Sequence, residues 1–280
     1  MTQTQAQTQA QTASPVVDHL TTGTAEAVLV VEFRAWTTAP RLSRLLADRL
    51  PGHPVLQLDP VGALSRDRSY RPLPELAASC VEELEASGLP EGRVFVAGHC
   101  SAAALSLHVA ELLGRTREVT VLLLGPSWPD QENVQHRFAE ALTSLRAPAR
   151  ECPPLGGDPA AVVGELGRAL QDELDMLAAA KGIDSAAGAF SELLGWHRGW
   201  LSFLLSCHRD PTERWATSPS TEVLVLARSQ QGDHVVGMPR EEYAVHVAPV
   251  LHEQDPITAE LAEHVVDQVR SRAAAHRAPS

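Results

Sequence analysis

Along residues 26–126 the chain alternates short, wholly apolar runs with segments in which apolar residues recur every three or four positions. The runs "AVLVVEF" (27–33), "HPVLQLD" (53–59), "RVFVAG" (93–98) and "EVTVLLLG" (118–125) have strand length and are rich in β-branched residues. Between them, "RLSRLLADRL" (41–50), "LPELAASCVEELEASG" (73–88) and "SAAALSLHVAELLG" (101–114) carry the helical period, with Gly88 placed to stop the second. Continuous apolar strands separated by helices predict a doubly wound, parallel α/β sheet covered on both faces. From 126 to 218 the pattern becomes almost purely helical, including "SAAGAFSELLGWHRGWLSFLLSCH" (185–208). Strand patterns return at "TEVLVLA" (221–227) and "YAVHVAPV" (243–250), and "ITAELAEHVVDQVRSR" (257–272) closes the chain as a helix. A helical insertion at about 130–215 predicts a lid over the carboxyl edge of the sheet, where such sheets bind ligands.

The polar repeat "MTQTQAQTQAQTAS" (1–14) has nothing to bury, which predicts a disordered segment over 1–20, ahead of one domain over 21–280. The tail from Ser271 is expected to fray. A net charge of −12 argues against nucleic-acid and anionic-membrane binding, and no apolar run approaches the length of a membrane span. The four cysteines show neither a C-x-x-C pair nor zinc spacing with histidine. A cytoplasmic protein with unbridged thiols and no bound metal is the expectation.

The chemistry concentrates in "VFVAGHCSAA" (94–103), a strand, a sharp turn and the start of a helix. This is the frame of a nucleophile elbow, G-x-S-x-G, with Cys100 in place of serine and Ala102 in place of the last glycine. Small residues at Gly98 and Ala102 suit a tight turn. A helix opening at Ser101 would aim its positive end at Cys100, lowering the thiol pKa and offering the Ser101 N–H to an oxyanion. The competing reading is a buried core cysteine. Cys80, Cys152 and Cys207 lack such framing and are expected to pack in the core.

The region 26–270 resembles the thioesterase branch of the α/β-hydrolases that serve polyketide and nonribosomal peptide assembly lines. The resemblance is carried by "YRPLPELAASCVEEL", "GHCSAAALSLHVAELL" and "VHVAPVLHEQDPITAELAEHV". It implies an α/β-hydrolase fold with a helical lid, and makes His252, in the loop before the final helix, the general base, ahead of His99, His234 and His246. The family's usual acid position, after "EVTVLLLG", is occupied by Gly125-Pro126. Asp130, in "GPSWPD", or Asp233, in "RSQQGDHVV", would then supply the acid, or none does. By position Arg34, in "EFRAWTT", would give the second oxyanion N–H beside that of Ser101.

Sulfur changes the expected reaction. Serine attacking a thioester makes an oxygen ester, well downhill. Cysteine makes another thioester at nearly equal free energy, so the acyl group can be handed on. In this respect the chain resembles the cysteine aminoacyltransferases of nonribosomal peptide pathways, closer in type than other members of the branch. That resemblance implies an acyl or aminoacyl transferase that takes its cargo from the phosphopantetheine arm of an acyl or peptidyl carrier protein, with no cofactor bound by the chain itself. Hydrolysis of carrier-bound thioesters, in the manner of a type II thioesterase, and a catalytically inactive binding module are the alternatives. Trp196, Trp200 and Phe203, at helical spacing in the insertion, are candidate acyl-pocket walls. Arg146, Arg150, Arg198, Arg209 and Arg214 are the arginines available for docking an acidic carrier.

Overall fold

The computed structural model describes residues 16–33, 40–67, 69–182, 188–210, 215, 218–227, 229, 234–248 and 257–277. Among these, seven strands form one sheet: β1 (Val17–His19), β2 (Ala27–Val31), β3 (Val55–Leu58), β4 (Val94–His99), β5 (Val119–Leu124), β6 (Thr221–Ala227) and β7 (Ala244–Val247). Their order is β1-β3-β2-β4-β5-β6-β7; β1 runs antiparallel to β3, and every other pair is parallel. The alternating strand–helix pattern thus gives the doubly wound sheet it predicts. β1 is an addition: within the expected disordered stretch, Val16 and Val17 are buried and Val17 pairs with Leu58. Two apolar residues next to a partner strand give residues 16–19 a place on the sheet.

Because side chains alternate across a strand, the sheet has two cores. Val28, Val30, Phe95 and Ala97 point to one face, where they meet α1 (Leu42–Arg49) and α8 (Ala259–Arg277). Leu29, Val31, Val96 and Val121 point to the other, towards α3 (Leu73–Ala86) and α4 (Ala103–Leu113). A short helix that the sequence pattern did not resolve, α2 (Pro60–Asp67), follows β3; the Asp59 carboxylate accepts the Gly62 N–H at its start. The carboxyl end of the chain stays helical as far as Arg277 instead of fraying from Ser271. Ala273 is buried, and the Arg272 carbonyl accepts from Arg93.

The insertion consists of α5 (Gln131–Ser144), α6 (Pro159–Lys181) and α7 (Gly188–His208). Asp130 and Asp158 cap the first two, and Gly182 ends α6 in the left-handed conformation. Helix α7 lies close on α2. A Cβ on Gly199 would stand 2.3 Å from Ser65 Oγ and 2.6 Å from the Val61 carbonyl. Ser202 Oγ donates to the Ser69 carbonyl and Ser206 Oγ to that of Arg71, while His197 Nε2 pairs with Ser144 Oγ on α5 at 3.0 Å. Among the described residues no helix is long and apolar enough to cross a membrane.

Candidate active site

The winding of the sheet reverses between β2 and β4. β2 leads outward to β3, and β4 returns to the far side of β2. Carboxyl ends that splay apart at such a switch leave a crevice for ligands. Phe33 and Cys100 stand at those two ends.

At the end of β4 the chain turns within one residue. His99 is still extended, Cys100 takes φ +55°, and a single 3-10 turn over Cys100–Ala102 runs into α4. For a side chain with a Cβ, the left-handed conformation costs about 1 kcal/mol, so this residue is held by its surroundings. The Ser127 N–H donates to the Cys100 carbonyl at 3.2 Å. On the strand side, Gly98 lets β4 and α4 approach closely: a Cβ there would stand 2.1 Å from Ser106 Oγ and 3.2 Å from the Ala102 carbonyl. Ala102 is fully buried and Ser101 nearly so, whereas Cys100 is half-buried. The two small positions of the elbow frame therefore have separate tasks, Gly98 for strand–helix approach and Ala102 for packing beneath the turn.

Beside the elbow, Phe33 meets the insertion. Its ring lies 4.6 Å from that of Trp200, edge on, and 4.9 Å from that of Phe203; Trp196, Trp200 and Phe203 stack in series along α7. Four residues beyond Phe203, Cys207 continues this stripe to the elbow, where its Sγ lies 3.8 Å from the Ser101 carbonyl. Burial, followed by the nearby Asp210 and Cys100, pushes the Cys207 thiol well above its ordinary range. The expectation of plain core packing holds for Cys80, which is buried within α3 and pushed up to about 12 by that burial. Cys207 also packs against the core, and in addition its sulfur borders the turn. The signal was legible as spacing, since positions 196, 200, 203 and 207 share one helical face.

Two further polar groups were not anticipated. Glu32, at the end of β2, is buried with its carboxylate on the start of α1, where it accepts from the Ser43 N–H and hydroxyl. Burial raises its pKa against those hydrogen bonds, which lower it. Both flanks of the segment 34–39 are thereby joined. On α4, buried His108 sits 3.0 Å from Asp210, two residues beyond α7, and its ring packs edge-on against Trp215.

Of the other expected site residues, Arg34, Asp233 and His252 lie outside the described residues. Asp130 is exposed, and its Oδ1 accepts the Asn133 N–H in a capping box at the start of α5. The adjoining Trp128 donates its indole N–H to the His234 carbonyl, drawing together the segments that follow β5 and β6. His99 is buried enough to lower its pKa. The candidate docking arginines are largely engaged within the insertion. Arg198 donates to the Gly167 carbonyl, Arg209 to those of Leu155 and Gly157, and Arg150 lies 3.7 Å from Glu173. Arg214 lies outside the described residues.

This architecture is that of the α/β-hydrolases. The chain superposes on an alpha/beta hydrolase family protein from Desulfitobacterium hafniense with a TM-score of 0.51 at 16% identity, over 93% of this chain and 100% of that one. It is likewise similar to the Vlm2 thioesterase domain, solved with a genetically encoded 2,3-diaminopropionic acid bound with a dodecadepsipeptide (TM-score 0.51, 13% identity, 91% and 99% covered). A TM-score of 0.59 at 17% identity relates 95% of the chain to the four-domain nonribosomal peptide synthetase AB3403, solved in its holo form with AMP and glycine; the chain spans 20% of that protein's length. At these identities the likeness is one of fold, which many chemistries share. No family model matches the chain, and no curated protein matches it by sequence. At the elbow of that fold this chain carries a thiol, Cys100.

Proposed function

We propose that the protein moves acyl or aminoacyl groups through a thioester on Cys100. The observation that carries the reading is Cys100 itself, half-buried at φ +55° between β4 and α4 at the switch point of the sheet. In the first step the Cys100 thiolate attacks the carbonyl carbon of a carrier-bound thioester. The Cys100 S–C bond forms, the bond to the carrier's phosphopantetheine sulfur breaks, and that sulfur leaves as a thiol. His252 takes the Cys100 proton and returns it to the leaving sulfur. The Ser101 N–H, with Arg34 supplying a second, bears the charge on the tetrahedral oxygen. Asp233 orients the imidazole; Asp130 has one oxygen on its helix cap, which leaves it the lesser candidate. A second carrier thiol, an amine or an alcohol then takes the acyl group by the same step in reverse. The Phe33–Trp200–Phe203 seam is the apolar wall against which the cargo would lie.

Hydrolysis of the same thioesters is the second reading, favoured by the thioesterase domain among the structural neighbours. Intact mass after incubation with a panel of acyl-loaded carrier proteins tests both. Transfer predicts an acyl adduct on wild-type protein, lost by at least about 1000-fold in Cys100→Ala, and slow release of free acid until an acceptor thiol is added. Free acid appearing at one rate with and without acceptor would favour hydrolysis. Acyl mass accumulating on Cys100→Ala would refute both.

A further inference from the structure

The four cysteines stay as thiols, and two of them converge. Cys100 stands at the tip of the elbow, and Cys207 reaches the carbonyl of the very next residue from the insertion side. Cys100 and Cys207 are partly exposed as residues, while the Cys207 sulfur itself is turned inward against the elbow. Two and three positions beyond Cys207, Arg209 and Asp210 reach anchors of their own. Arg209 bonds the Leu155 and Gly157 carbonyls, and Asp210 bonds His108 on the elbow helix. Cys207 is thus kept facing the turn. The other two thiols are placed elsewhere, Cys80 in the α3 core and Cys152 in the segment leading to α6.

We propose that Cys207 is a resolving thiol for Cys100, and that peroxide closes a disulfide between them, fastening helix α7 to the elbow and blocking the site reversibly. The Cys100 thiolate attacks the O–O bond, taking one oxygen as a sulfenic acid and releasing hydroxide. The Cys207 thiol then attacks the sulfenic sulfur. The S–S bond forms, the S–O bond breaks, and the departing oxygen leaves as water with the Cys207 proton. Two thiols are oxidised by two electrons in all, and one peroxide is reduced to two waters. Burial keeps Cys207 protonated until then, so it does not compete with Cys100 for acyl donors. Without a resolving partner, the sulfenic acid proceeds to the irreversible sulfinic acid. The inference rests on the proposed reactivity of Cys100.

The test treats the reduced full chain with hydrogen peroxide, alkylates with iodoacetamide, and maps peptides without reduction. Wild-type protein should lose two hydrogens and give a Cys100–Cys207 linked peptide that dithiothreitol reverses. Cys207→Ser should give no such peptide, and its Cys100 should pass to sulfinic acid at least about tenfold faster than in wild type. A link from Cys100 to Cys80 or Cys152, no link at all, or equal over-oxidation in both proteins would overturn the proposal. The wild-type map decides the matter even where the variant folds poorly. Acylation without the disulfide removes this inference alone, while the disulfide without acylation removes the transfer reading and leaves this one standing.

Discussion

The elbow and helix α7 are the two walls of the candidate site, and they are held by different means. The elbow is short and local. One residue at positive φ, a glycine two positions before it and an alanine two positions after it determine the turn, and their tight contacts lie within eight residues of chain, at Ala102 and Ser106. Helix α7 is held from afar, at Val61 and Ser65, Ser69, Arg71, Ser144 and the Ser101 carbonyl. Errors in the first wall should disturb Cys100 directly. Errors in the second should disturb the aromatic stripe of α7, leaving the turn intact.

The comparison can be broken most forcefully at Gly98. An alanine Cβ there meets Ser106 Oγ at 2.1 Å and Ser106 Cβ at 3.0 Å. Gly98→Ala should lower stability by about 3 kcal/mol in urea unfolding, and adding Ser106→Ala should recover part of it. An unchanged midpoint would show that strand and helix do not meet so closely. At the other wall, Gly199→Ala brings a Cβ against the Val61 carbonyl, which cannot swing aside as a side chain can. A loss of about 2 kcal/mol is expected, with faster proteolysis in residues 151–210 and iodoacetamide reactivity at Cys100 retained. Loss of that reactivity would mean that the two walls are not separable.

Glu32 sharpens the comparison from the end of β2. Glu32→Gln keeps an oxygen for the Ser43 N–H and turns its N–H2 to the Ser43 hydroxyl, which then accepts, so the loss of charge-assisted hydrogen bonds should cost about 1 kcal/mol. The sign of its pH dependence follows from the raised pKa. Below the ordinary carboxylate range both folded and unfolded forms are protonated. As pH rises through that range the unfolded chain loses its proton first, and stability falls until the folded group ionises. Glu32→Gln should remove this downward slope from a stability–pH profile.

The smallest effect is expected at His197, whose pKa is lowered by burial in α7. Its contribution is complete above the unfolded histidine range near 6.5. It is lost as pH falls through that range, because the unfolded chain then binds a proton that the folded one resists. His197→Gln, which keeps a partner for Ser144, should flatten the slope of thermal midpoints between pH 7 and 5 by about 1 °C per pH unit or less. A steeper profile in the variant would contradict the assignment. His99, lowered for the same reason, contributes in the same direction and accounts for residual slope.

The periodic pattern of the chain determined the strand–helix order, and with it the parallel sheet, the insertion and the elbow. Each of these follows from side chains that alternate every two residues or recur every 3.6, and from one Gly-x-Cys-x-Ala frame. β1 and α2 escaped because three strand residues and two helical turns carry too little periodicity to stand out. Only the tertiary structure decided that Cys207 borders the elbow, that Glu32 closes onto α1 and that His108 meets Asp210. Those pairs are separated by up to about a hundred residues, and only chain folding can set the distance between them. A sequence records which groups can react or hydrogen-bond; packing, which depends on every neighbour at once, decides which of them meet.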